Sequence, residues 1–215
     1  MKSLDSLRAP VYRIIDPVVD WMVRRRVHPN LLTTLGFVSV VGAGYLYHLD
    51  HVRWAGALVL LGGTWDIFDG QVARVSGLAS KFGSFYDSTL DRISEIVVFL
   101  GLLSLYNSYA REWADVWMVY VIFMAMGGSI MVSYTRARAE GLGLDCKVGL
   151  MQRPERVVLL GLGSLAFGLM WSGLVLRGVI IVVAVLTNIT AIQRIVWVYR
   201  NANDIPIDDP SLSGQ

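Results

Sequence analysis

Six long apolar runs, separated by short charged stretches, restrict this chain to very few folds. They lie near residues 30–50, 53–75, 82–107, 114–138, 153–174 and 176–200, and a helical span needs about 20 residues. Inside a bilayer the backbone must satisfy its own hydrogen bonds, which runs of this length do as α-helices. The pattern predicts an all-α polytopic membrane protein with six transmembrane helices. Composition agrees: 54% of residues are hydrophobic and the mean hydropathy is +0.53, above an ordinary soluble domain. Pro29 opens the first run and Pro154 the fifth, where a missing N–H does no harm. Trp54, Trp113, Trp171 and Trp197 fall near run ends, as interfacial aromatics do.

The chain ahead of these runs has a different character. Across residues 1–28, Leu4, Leu7, Val11, Ile14, Ile15, Val18, Val19 and Met22 recur at helical spacing among charges that end in Arg24, Arg25 and Arg26. Those charges leave no apolar core for a signal peptide. We expect an amphipathic helix on the membrane surface, its basic side toward anionic lipid, rather than one merely packed on the protein. Three parts follow: a juxtamembrane helix at 1–28, a six-helix catalytic domain at 29–200 and a cytoplasmic tail at 201–215. Basic residues in alternate loops set the orientation. Arg24 to Arg26, Arg74, Lys81, Arg136, Arg138, Lys147, Arg153, Arg156 and Arg200 share one side, against Arg53, Arg111 and Arg177 on the other. The richer side is cytoplasmic, with both termini inside. A net charge of +2 gives no sign of a nucleic-acid partner, and the single cysteine, Cys146, reads as structural.

The second and third runs contain acids that a plain membrane helix would avoid. Each buried charge costs about 2.5–3.5 kcal/mol at the bilayer centre, less near the rim. Asp66 and Asp69 are three apart, Asp87 and Asp91 four apart, so each pair shares a helix face. The short link around Arg74 to Lys81 places the two helices side by side and antiparallel. Four converging carboxylates would repel one another and take up protons unless cations joined them. An oxygen-only ligand set of this kind suits Mg²⁺ or Mn²⁺, natural partners of a diphosphate. Gly70 removes a side chain where a ligand would approach, Gly83 does the same one turn before Asp87, and Arg74 can fork onto phosphate oxygens. Glu95, one turn beyond Asp91, fits a hydrogen bond to a neighbouring helix better than an extension of the site. A divalent-cation or proton-coupled transporter also carries buried carboxylates, but it places them near the midplane, often in broken helices.

The stretch Asp66-x-x-Asp69-Gly70-x-x-Ala73-Arg74-x8-Gly83-x3-Asp87-x3-Asp91 resembles, at every position, the signature of the CDP-alcohol phosphatidyltransferase family. The segment order and the leading amphipathic helix are similar too. The resemblance implies two divalent cations, Mg²⁺ or Mn²⁺, held by Asp66, Asp69 and Asp87, with Asp91 as ligand and general base. It implies that Gly70, Arg74 and Gly83 frame the nucleotide, joined by Asn30 and Thr33 from Pro29-Asn30-Leu31-Leu32-Thr33. The lipid partner it implies is CDP-diacylglycerol or a CDP-linked ether lipid. A homodimer in the cell membrane of a prokaryote, with its active site facing the cytoplasm, is a further implication.

The acceptor is read from arginines. Arg136 closes the fourth run, Arg153 opens the fifth, and Arg194 lies in the sixth between Ile192 and Ile195. Three arginine-bearing helix ends around one cavity would make a phosphate pocket, although helix-end arginines often only anchor headgroups. These segments resemble the phosphatidylinositol-phosphate and archaetidylinositol-phosphate synthases, which implies inositol 1-phosphate as acceptor and Arg136, Arg153 and Arg194 on its phosphate. Glycerol 3-phosphate is the alternative. His48 and His51 have no further ligand near them in sequence. Gly56, Gly62, Gly63, Gly161 and Gly163 read as close-packing positions.

Overall fold

The computed structural model describes residues 15–108 and 113–202, all of them helix or connection. Helix α1 is described from residue 15 to residue 24. There follow α2 (Pro29–His48), α3 (Val52–Ser76), α4 (Lys81–Ser108), α5 (Trp113–Glu140), α6 (Arg153–Phe167), a 3-10 turn (Met170–Gly173) and α7 (Leu174–Ala202). The stretches 1–14, 109–112 and 203–215 lie outside the described residues. They include the first half of the expected amphipathic helix, the loop bearing Arg111 and most of the expected tail; Asn201 and Ala202 still belong to α7.

The α-helices start and stop as the local chemistry requires. His28 caps α2 by accepting the Asn30 N–H, and Pro29 takes the first turn. Gly77, with φ +70°, ends α3 in the left-handed conformation that favours glycine. One expectation is corrected. The fifth run was expected to stay helical to residue 174, but α6 ends at Phe167 after 15 residues. Gly168 turns the chain at φ +54°, and Trp171, Ser172 and Gly173 follow with positive φ, so an apolar run conceals a sharp turn.

By length and apolar composition, Pro29–His48, Asp115–Glu140 and Met170–Ala202 can each cross a membrane. Helices α3 and α4 are as long, with 25 and 28 residues, but carry the acids. The protein is an all-α membrane protein.

Helix packing closes a ring: α4 lies on α2, α2 on α3, α3 on α6, α6 on α7, α7 on α5, and α5 on α4. This corrects a second expectation. Helices α3 and α4 are not closely packed side by side; α2 packs against both, so the acid-bearing faces approach across an opening. Space between like-charged faces is what mutual repulsion demands. One end of the ring is filled by an apolar core that includes Tyr47, Ala55, Phe99, Leu102, Ile122 and Ile180. Close approach there depends on small residues: a Cβ on Gly56 would stand 2.7 Å from the Gly161 carbonyl oxygen. The described part of α1 turns apolar residues inward. Val19 and Met22 are buried with Leu32 of α2 and Val72 of α3, while Trp21, Arg24, Arg25 and Arg26 stay exposed.

Candidate active site

The candidate site residues lie toward the other end of the ring. Asp66 and Asp69 occupy successive turns of α3, and Asp69 precedes the helix end at Ser76 by seven residues, about 10 Å along the axis. One carboxylate oxygen from each of Asp66, Asp69 and Asp87 lies within 4.8 Å of the others. Thr33, on the first turns of α2, donates its hydroxyl to Asp69 Oδ2 at 2.6 Å. Among the described residues no lysine or arginine pairs directly with Asp69 or Asp87. Three close carboxylates with two left unneutralised form a donor set suited to a hard divalent cation.

Beside this trio opens a cleft of about 220 Å³. Its lining includes Asn30, Thr33, Gly70, Arg74 and Gly83 together with Asp69 and Asp87. The five residues singled out for the nucleotide thus meet in one cavity, from three helices. A Cβ on Gly70 would come within 3.6 Å of the Arg74 guanidinium, and one on Gly83 within 3.4 Å of Asn30 Oδ1. Both glycines keep the walls of the cleft low.

Asp91 stands apart from the trio. Its Oδ1 meets Arg153 Nη2 at 2.7 Å, and Arg153 Nη1 donates to Asp66 Oδ2 at 2.6 Å. Arg153, at the head of α6, therefore bridges one acid of each pair. Arg136, at the end of α5, pairs with Glu140 at 2.8 Å and both are well exposed. Arg194 departs from expectation. It is 2% exposed, and its guanidinium donates to the carbonyls of Val132 and Val148. Val148 belongs to the connection 141–152, which is not helical and leaves carbonyls that need donors, whereas Val132 lies on α5. The three arginines face the same end of the ring; Arg136 has an exposed head, and Arg153 is half-buried with both Nη atoms on acids of the site.

Sequence reasoning missed the buried role of Arg156. It is 2% exposed and donates Nε to Glu95 Oε1 at 2.6 Å and Nη1 to the Met151 carbonyl at 3.0 Å. Glu95 does bond a neighbouring helix, as its position suggested. The signal for Arg156 was its place one turn inside an apolar segment, level with an acid on another helix. Cys146 is buried, and His48 bonds Ser104 at 2.6 Å.

Comparison with known proteins agrees with this arrangement. The model of the CDP-alcohol phosphatidyltransferase family matches residues 26–199. The chain belongs to that family of membrane transferases. It is 34% identical over 197 residues to the archaetidylinositol phosphate synthase of Methanothermobacter thermautotrophicus, covering 92% of this chain and 94% of the relative. It is 32% identical over 207 residues to the phosphatidylinositol phosphate synthase of Mycobacteroides abscessus, covering 94% and 91%. Among solved structures, the Mycobacterium tuberculosis phosphatidylinositol phosphate synthase with CDP-DAG bound superimposes with a TM-score of 0.78 at 30% identity, covering 90% of this chain and 98% of that one. A structure of the same mycobacterial protein in complex with manganese and citrate gives a TM-score of 0.78 at 28% identity, covering 89% and 93%.

Proposed function

We propose that the protein transfers the phosphatidyl group of CDP-diacylglycerol, or its ether-lipid counterpart, to a hydroxyl of inositol 1-phosphate and releases CMP. The observation that carries this reading is the meeting of the acidic trio, the nucleotide-sized cleft and Arg153 at one end of the ring. Asp66, Asp69, Asp87 and Asp91 hold two divalent cations. Bound there, such ions clamp a diphosphate and offset charge on the departing nucleotide. Asn30, Thr33, Gly70, Arg74 and Gly83 hold the cytidine end. Asp91 takes the acceptor's proton, the alkoxide attacks the phosphorus nearer the lipid, and the bond to the CMP oxygen breaks. Arg136 and Arg153 take the acceptor's phosphate, and Arg194 supports them from below. The names of the relatives favour an inositol phosphate over glycerol 3-phosphate. A transporter is disfavoured because α3 and α4 run unbroken through the acids.

The same reading gives the membrane arrangement. Helices α2 to α7 are the six transmembrane helices of the domain at 29–200, α1 lies at the interface as part of the segment 1–28, and 201–215 is the tail. The excess of Lys and Arg at the site end supports a cytoplasmic site in a prokaryotic cell membrane. The active form is a homodimer.

The test uses purified protein, CDP-diacylglycerol and three acceptors side by side: inositol 1-phosphate, glycerol 3-phosphate and free inositol. CMP release should be fastest with inositol 1-phosphate and near background with free inositol. Faster turnover of free inositol than of either phosphate ester would overturn the acceptor assignment and leave the lipid half standing.

A further inference from the structure

Beneath the site, among α2, α3, α4 and α6, lies a cavity of about 30 Å³ lined by Ser94, Glu95, Arg153 and Arg156 among apolar side chains. Three polar atoms of its lining residues, Glu95 Oε2, Arg153 Nε and Arg156 Nη2, are buried without a hydrogen-bond partner, although Nη2 is ion-paired with Glu95 Oε1. An orphaned buried polar group is costly, so several around one cavity call for a shared occupant. A cavity needs roughly 10–15 Å³ to admit one water, and this one combines an acceptor on one wall with a donor on the other.

Helix spacing explains the arrangement. Glu95 follows Asp91 by one turn on α4, and Arg156 follows Arg153 by one turn on α6. The outer rung, Arg153 on Asp91, faces the site; the inner rung, Arg156 on Glu95, is buried. Glu95 gives Oε1 to Arg156 and leaves Oε2 free toward the cavity.

We propose that Glu95 is a positioning residue for Arg153, acting through a water held in this cavity. With Nη1 on Asp66, Nη2 on Asp91 and Nε on that water, the guanidinium plane is fixed on three sides. Its orientation toward an incoming phosphate is then set from below, by a residue that touches no substrate. The inference rests on the reading of Arg153 as a ligand of the acceptor's phosphate.

The experiment compares Glu95→Gln, the double variant Glu95→Leu with Arg156→Met, and Arg153→Gln, each assayed by CMP release with both substrates varied. Glu95→Gln should raise the acceptor KM about tenfold, the effect of one charge-assisted hydrogen bond, and leave the CDP-diacylglycerol KM unchanged. A purely structural pair predicts otherwise: a lower Tm and less active protein, with both KM values intact. The double variant replaces a buried ion pair by apolar groups of similar volume, so its Tm should recover while its acceptor KM stays high. Equal rises in both KM values, no rise in either, or a double variant with the wild-type acceptor KM would overturn the proposal. With no charge left unpaired, the double variant decides alone should the single one not fold. Arg153→Gln separates the two readings: if it leaves the acceptor KM unmoved, the acceptor pocket fails; if it raises that KM and Glu95→Gln does not, only this inference fails.

Discussion

The acid-bearing half of the ring, α2 to α4, and the arginine-bearing half, α5 to α7, bring opposite charges to the same end but hold them differently. On the acid side, Asp69 and Asp87 have no cation from the described protein. On the other side each arginine of the site has a partner in the fold: Arg136 on Glu140, Arg153 on Asp66 and Asp91, Arg156 on Glu95, Arg194 on two carbonyls. Like charges left together wait for something that is not protein. Charges already partnered hold architecture, and only those with exposed heads remain available to a ligand. Substitutions in the acid half should therefore strike turnover. Those in the arginine half should grade from substrate affinity to stability.

The largest expected effect tests the acid half directly. Chelation by EDTA should bring CMP release to background, and Mg²⁺ or Mn²⁺ should restore it; Asp69→Asn or Asp87→Asn should be as inactive and not be rescued. A chelated enzyme that kept half its rate would break the comparison. Next comes Asp91→Asn. Loss of a positioned base should cost about 10²–10⁴ in turnover. Binding of CDP-diacylglycerol with Mn²⁺ present, followed by calorimetry, should persist. Arg194→Met moves to the architectural class. It leaves the Val148 carbonyl without its side-chain donor, at about 1–3 kcal/mol, while Val132 keeps the Thr135 hydroxyl, so the Tm in detergent should fall. Its acceptor KM should move less than that of Arg153→Gln; the reverse ranking would favour a direct contact of Arg194 with the acceptor. The smallest effect belongs to Glu140→Gln. Exposed ion pairs contribute about 0–1 kcal/mol, so the acceptor KM should shift by less than roughly threefold.

The two halves also differ in how far the sequence revealed them. Asp66, Asp69, Gly70, Arg74, Gly83, Asp87 and Asp91 sit on two helices joined by a short turn, and helical periodicity alone aligns their faces. Even there, the sequence implied direct packing of α3 on α4, because nothing local says that α2 lies against both. The arginine half depends on contacts between residues far apart in the chain. Arg153 and Arg156 are three positions apart at the head of one helix, yet one faces the site and the other is sealed on Glu95; only the neighbouring helices decide which. Arg194 looked like a pocket residue for the same reason that it is a strut: a cation within an apolar run must meet something, and the sequence does not say whether that is substrate or backbone. The early end of α6 was hidden because Leu169, Met170 and Trp171 keep the run apolar through a turn.

That short helix has a consequence for the lipid around it. Fifteen residues of α-helix extend about 22 Å, against about 30 Å of hydrocarbon. On that flank either the acyl layer thins or the chain bordering α6 lies at acyl depth. Hydrocarbon tolerates non-helical backbone only where protein groups satisfy it. Arg194, Arg156 and Thr190 do this for Val148 and Met151. With α6 as one of the six proposed spans, the enzyme would carry its own notch in the membrane, a place where a donor anchored by its tails and an acceptor dissolved in water can react without either leaving its phase.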